Sequence, residues 1–189
     1  MRKIYTLFGI ALFAAGLLVG TLIAGNGFAP AFAQDATPVP AEESKAAATE
    51  TVTDTMAAKV QAVLAEIEAA DESLYVSLTT DDVDRAAMAV GQAHKIMTGR
   101  EIPVTIFLNV EGVRLVDKTI PQNMHATGES VQDRLVSFMA DGGTVLVCPF
   151  CMKNVGGMTE ADVIDGVLLG TPELTWGALF AEGARTLSY

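Results

Sequence analysis

The sequence is poor in several residues that common catalytic and binding sites require. Its 189 residues include two cysteines, two histidines and one tryptophan, and 12 basic residues stand against 23 acidic ones. It contains no glycine-rich phosphate loop, no paired-carboxylate signature and no serine nucleophile elbow. The formal net charge of −11 is the opposite of the basic footprint that nucleic-acid binding needs, and it disfavours anionic membrane surfaces. We therefore expect no nucleic-acid partner and attribute the acidity to solubility.

The first 33 residues predict export. Arg2 and Lys3 form a short basic region, residues 7–24 are apolar and uncharged, and Ala31-Phe32-Ala33 is a small-x-small cleavage signal. We expect residues 1–33 to be a signal peptide that is cut before Gln34, and we place the protein in the periplasm. An uncleaved N-terminal anchor in the inner membrane is the alternative, because about 18 apolar residues can span a bilayer. Cleavage removes only the two basic charges, so the formal charge becomes −13.

Three further segments follow the export signal. Residues 34–53 are rich in Ala, Thr, Pro and Glu without apolar periodicity, which predicts a flexible tether. Residues 54–71 carry apolar side chains at helical spacing and predict an amphipathic helix that packs on the domain or mediates assembly. Residues 72–189 have the length of a single domain.

Strand and helix patterns alternate through the domain. Strands are predicted at 73–80, 102–110, 144–147, 167–170 and 185–189, and helices at 81–98, 131–139, 159–162 and 172–181. This order predicts an α/β fold: a three-layer α/β/α sandwich around a mainly parallel sheet of about five strands. Reactive groups in such sheets lie beyond the carboxyl ends of the strands. We expect Thr80, Asn109 and Cys148 to meet at that edge.

Cys148 and Cys151, both cysteines of the chain, form a C-x-x-C motif at the end of the third strand. A disulfide across so short a loop removes little chain entropy, so the spacing favours chemistry over structural stapling. A following helix start would favour the Cys148 thiolate, and Lys153 is the nearest cation in sequence. Cys148 would then be the reactive thiol of the pair, and Cys151 would be its resolving partner, able to form a disulfide with it.

Three other roles for the motif remain open. Cys-Pro-Phe-Cys resembles the redox motif of glutaredoxin-like proteins and allows thiol–disulfide exchange. A zinc site is not completed, because a second C-x-x-C or an H-x-x-x-H is missing. Cu(I) suits a soft ligand set of Cys148, Cys151, Met152 and Met158, which Met124 and His125 in the long segment 111–128 could join. Passive packing of both cysteines is the last alternative. We expect no resident cofactor.

Four segments of the domain resemble the DsrE/DsrF-like sulfur-relay family in their order and spacing: residues 73–96, 102–116, 142–157 and 163–189. The resemblance implies a three-layer α/β/α fold that assembles into homo-oligomers, often trimers or hexamers. It also implies a sulfur carrier that holds a persulfide on one cysteine at the end of the third strand, where Cys148 lies. The implied partners are a sulfur donor or acceptor protein or a small sulfane-sulfur compound. Cys151 occurs in only some members, and export departs from the cytoplasmic relays of the family.

Overall fold

A computed structural model describes the backbone of residues 43–189 and the side chains of residues 54–189. The expected signal peptide at 1–33 lies outside the described residues. The strands are β1 Ser73–Leu78, β2 Val104–Leu108, β3 Thr144–Val147, β4 Leu168–Leu169 and β5 Ala184–Ser188. The helices are α1 Glu43–Ala69, α2 Val83–Arg100, α3 Val131–Ala140, α4 Pro149–Cys151 and α5 Pro172–Leu179, with 3-10 turns at Val110–Val116 and Glu160–Asp162 and a π turn at Met152–Gly156.

The five strands form one sheet in the order β4-β3-β2-β1-β5, and every neighbouring pair is parallel. Alternate side chains of the central strands face opposite sides. Val76, Ile106 and Val147 belong to the core cluster that includes α2 and α3, whereas Tyr75 and Leu146 belong to the clusters that include α1 and α5. The predicted three-layer α/β/α architecture is therefore confirmed.

Helix α1 begins earlier than its apolar pattern indicates. Its backbone is helical from Glu43, so residues 43–53 of the expected flexible tether belong to the helix, and residues 34–42 lie outside the described part of the chain. Ile67 is buried, and Val60, Val63 and Leu64 pack against buried residues of the sheet and α5. The amphipathic segment therefore covers one face of the sheet. Among the described residues, no helix has the length and apolar character needed to cross a membrane.

The connection after β2 is ordered where the sequence indicates a long polar loop. Asn109 leads directly into the 3-10 turn Val110–Val116, and Gly112 donates its N–H to the Thr79 carbonyl oxygen at the end of β1. A Cβ on Gly112 would lie 2.4 Å from the Leu78 carbonyl oxygen. Only glycine allows this close approach, which fixes the segment at the carboxyl ends of β1 and β2.

Candidate functional site

Cys148 lies at the carboxyl end of the parallel sheet, as the sequence predicts. Its N–H donates to the Leu108 carbonyl oxygen at 2.9 Å, which continues the β2–β3 ladder one residue beyond the last strand pair, Leu108 and Val147. Cys148 is therefore the neighbour of Asn109 across that ladder. Its side chain packs at the margin of the main hydrophobic cluster and is also within electrostatic reach of Tyr75, which lies on the side that α1 and α5 cover.

The Cys148 sulfur contacts the backbone of Cys151. Cys148 caps the short helix α4, and its Sγ accepts a hydrogen bond from the backbone N–H of Cys151 at 3.3 Å. Pro149 occupies the first helical position, where its fixed φ suits a helix start. Both cysteines are free thiols of intermediate exposure. The thiol is therefore neither fully buried in hydrocarbon nor remote from peptide amides.

Burial raises the pKa of Cys148, so the expectation of a readily ionised thiol is wrong. Desolvation is the largest cause, and the neighbouring Cys151 thiol adds to it by its hydrogen bond and by repulsion between the two charges. Backbone N–H groups of Cys151 and Phe150 act in the opposite direction, as expected for a helix start, but they do not outweigh burial. The sequence indicated that a helix begins after Cys148, but it did not indicate that packing partly buries the Cys148 thiol.

The methionines expected as soft metal ligands belong largely to the core. Met152 and Met158 are 3% and 5% exposed and pack in the main hydrophobic cluster. Met124 is exposed, and His125 lies in a groove of about 660 Å³ against α2, together with Asp84 and Arg134. Within the described residues, no group of three His, Cys, Asp or Glu side chains is placed to hold a metal ion. A Cu(I) site would have to draw on thioethers that are already used in packing.

The predicted neighbours of Cys148 have different roles. The Asn109 Nδ2 group donates to Ser77 Oγ on β1 at 3.1 Å, so its side chain lies across the carboxyl ends of the central strands. Asn109 Oδ1 is buried and has no hydrogen-bond partner in the described structure. Val110, the next residue, has a φ of 49°, a strained conformation for a β-branched residue, and such strain is common at functional sites. Thr80 instead accepts the Asp82 N–H near the start of α2.

Two further side chains approach the same edge, and sequence reasoning missed both. Burial raises the pKa of Tyr75 to about 12, and a charge on Cys148 adds to the rise, so the phenol lies within electrostatic reach of the thiol. Thr175 Oγ1 on α5 is buried without a partner among the described residues. Tyr75 looked like an ordinary strand residue and Thr175 like a helix residue. Only the packing of α5 on the sheet reveals them.

The fold and the site define a class: a three-layer α/β/α protein with an all-parallel sheet and a C-x-x-C pair at its carboxyl edge. No family model and no curated protein matches the sequence. Among solved structures, the chain is similar to the YchN protein of E. coli at 20% identity, covering 62% of this chain and 100% of that one with a TM-score of 0.50. It is also similar to MTH1491 of Methanobacterium thermoautotrophicum, a protein of unknown function, at 14% identity, covering 63% and 100% with a TM-score of 0.51. These matches show that the domain shares its fold with these two proteins.

Proposed function

We propose that this chain is an exported, DsrE-like sulfur carrier in which Cys148 accepts a sulfane sulfur atom and Cys151 resolves the persulfide. The observation that carries the proposal is the position of Cys148: a half-buried free thiol at the carboxyl edge of the sheet, with the Cys151 N–H 3.3 Å from its sulfur. Such an edge is where α/β sheets present reactive groups. The DsrE-like fold supports the same function.

The chemistry balances in two steps. In the first, the Cys148 thiolate attacks the outer sulfur of a donor persulfide; the donor S–S bond breaks, the donor leaves as a thiolate, and Cys148 becomes a persulfide. In the second, the Cys151 thiolate attacks the Cys148 Sγ, the bond to the outer sulfur breaks, and hydrosulfide leaves. The two cysteines are oxidised to a disulfide while the sulfane sulfur is reduced to sulfide. A dithiol from outside the chain is then needed to reduce that disulfide.

Exposed apolar side chains beside the thiol support a protein as the sulfur donor or acceptor. Phe150, between the two cysteines, is 73% exposed, and Val110 is 41% exposed at the end of the neighbouring strand. Apolar groups at the rim of a reactive site favour the docking of a partner surface. A small sulfane-sulfur compound is the alternative donor. The periplasm as the location and assembly into a homo-oligomer complete the proposal, and light scattering during size exclusion tests the assembly.

Persulfide formation can be measured directly because the chain has only two cysteines. After exposure of the reduced protein to an organic persulfide donor, mass spectrometry should show a gain of about 32 Da, one sulfur atom, on Cys148. Cys151→Ser should retain this gain and accumulate it, because resolution is blocked. Cys148→Ser should lose it. No gain on Cys148 in the parent and in Cys151→Ser would refute the carrier function.

Thiol–disulfide exchange is the second candidate, and the contact between the Cys148 sulfur and the Cys151 N–H favours it. Both functions produce a Cys148–Cys151 disulfide, but only a sulfur carrier releases sulfide while doing so. Sulfide measured alongside disulfide formation therefore separates them. Disulfide formation with a disulfide donor and no persulfide at any time would favour exchange. A Cu(I) titration against a chelator tests the metal alternative, which requires equal losses in Cys148→Ser and Cys151→Ser.

A further inference from the structure

The carboxyl edge around Cys148 contains two buried polar atoms without partners in the described structure. Asn109 Oδ1 and Thr175 Oγ1 make no hydrogen bond there, and each is fully buried. Buried polar atoms are paired in the great majority of cases, so each exception needs a physical reason. One such reason is that the two atoms bind a group that is present in only one chemical state of the protein.

Asn109 is placed directly beside Cys148. The two residues are neighbours across the β2–β3 ladder, because Cys148 donates its N–H to the residue before Asn109. Asn109 Nδ2 is engaged with Ser77 Oγ on the far side, at 3.1 Å. Since an amide group presents its oxygen and its nitrogen in different directions, Oδ1 is left for a partner other than Ser77.

Thr175 approaches the end of β3 from the helical layer. A Cβ built on Gly170 would lie 3.1 Å from Thr175 Oγ1 and 3.2 Å from the carbonyl oxygen of Val147, the residue before Cys148. The hydroxyl and the Val147 carbonyl oxygen are therefore both neighbours of Gly170, which places the hydroxyl near the carboxyl end of β3. It is on the α5 side of the sheet, which is also the side of Tyr75, whose phenol is within electrostatic reach of Cys148.

We propose that Asn109 and Thr175 form a neutral polar pocket that binds the outer sulfur of a persulfide on Cys148. This inference rests on the proposed carrier function and names the residues that retain the transferred atom. The pocket suits sulfur in either protonation state. The Thr175 hydroxyl can both donate and accept a hydrogen bond. The Asn109 amide can rotate so that its oxygen and nitrogen exchange positions, and Ser77 Oγ remains its partner in either orientation, because that hydroxyl also donates and accepts.

The lifetime of the loaded persulfide tests the pocket in the full chain carrying Cys151→Ser, which prevents resolution. An organic persulfide loads Cys148, the donor is removed, and a small thiol is added that attacks the outer sulfur and expels the Cys148 thiolate; intact mass follows the loss of one sulfur over time. Thr175→Val keeps the shape of the side chain and removes a hydroxyl that has no internal partner, so the fold should lose no stability. We expect this variant and Asn109→Leu to shorten the lifetime about tenfold, the effect of one hydrogen bond to a charged group.

Two variants control for structural effects. Thr175→Ser keeps the hydroxyl and should restore the parent lifetime. Ser73→Ala removes another buried hydroxyl without a described partner, but at the amino end of β1, and should leave the lifetime unchanged. The pH dependence of Cys148 alkylation gives a second readout. It is measured with Cys151 replaced, because the Cys151 thiol itself raises the pKa of Cys148. Tyr75 is then the other titratable group with an electrostatic interaction with the thiol.

The outcomes distinguish the two proposals. If the parent does not form a persulfide, the carrier function fails. If the parent is loaded but Asn109→Leu and Thr175→Val release sulfur at the parent rate, the carrier function stands and the pocket is refuted. If Asn109→Leu does not fold, Thr175→Val against Thr175→Ser decides the question alone. A shorter lifetime in Ser73→Ala as well would also overturn the pocket, since the effect would then be general.

Discussion

Gly112 is the position at which the smallest substitution should most disturb the site. The Cβ of Gly112→Ala would lie 2.4 Å from the Leu78 carbonyl oxygen and 3.2 Å from its carbon, and both are backbone atoms. That oxygen also accepts the Asn109 N–H at 3.0 Å, so it is not free to turn away. The added methyl group must therefore displace the segment that carries Asn109, or break this hydrogen bond.

Two effects contribute to the loss of stability that we expect in Gly112→Ala. Overpacking against backbone costs about 1–3 kcal/mol, and weakening the Asn109–Leu78 hydrogen bond adds about 1 kcal/mol. The free energy of unfolding should therefore fall by about 3 kcal/mol, which for a chain of this size lowers Tm by roughly 10 °C. Persulfide loading of Cys148 should fall as well, because Asn109 moves with the backbone.

Thermal and guanidinium unfolding followed by circular dichroism measures this cost in the full chain. Gly99→Ala is the matched control: nothing lies within 4 Å of its Cβ, and it sits in the last turns of α2. Alanine there should raise stability slightly, by about 0.5 kcal/mol, through helix propensity. A Gly112→Ala protein as stable as the parent would show that the close approach between the 110–116 turn and β1 is absent.

Three other perturbations give results of known direction. Phe138→Ala empties a fully buried site and should cost about 3–5 kcal/mol in denaturant unfolding, and a smaller loss would mean that the core collapses around it. Hydrogen bonds from Ser130 lower the pKa of Asp133, so the stability difference between the parent and Asp133→Ala should be present at neutral pH and disappear as pH falls through that lowered pKa. A difference that persists in acid would contradict the charged cap. Cys151→Ala removes a thiol that raises the pKa of Cys148, so the pH profile of Cys148 alkylation should move to lower pH; no movement would show that burial acts alone.

Local sequence signals predicted the elements of the fold well. The continuous apolar run at 102–110 indicates a strand that is buried on both faces, and Asp82, just before α2, caps that helix by accepting the Arg85 N–H. The start of α1 was missed because residues 43–53 have no apolar periodicity. Their Ala and Glu content favours a helix by propensity alone, a weaker signal.

The site was predictable only where it depends on strand ends. Cys148 and Asn109 could be placed at one edge because parallel strands end together. Thr175 and Tyr75 could not, because their approach depends on how α5 packs across the sheet. The pKa of Cys148 was predicted in the wrong direction for the same reason: the helix start is a local feature, whereas desolvation comes from residues distant in sequence.

The raised pKa of Cys148 changes what kind of carrier the site favours. An acceptor that attacks the outer sulfur of the persulfide must expel the Cys148 thiolate, and a thiol with a high pKa leaves slowly. The same burial reduces the thiolate fraction available for loading, so we expect the proposed carrier to load and release sulfur slowly in the isolated chain. A docked partner that supplied a positive charge or an N–H donor beside Sγ would lower that pKa and accelerate both steps. Transfer to a partner that docks at Phe150 should therefore be faster than transfer to a small thiol of equal nucleophilicity, and Phe150→Ala should remove that advantage while leaving the small-thiol rate unchanged.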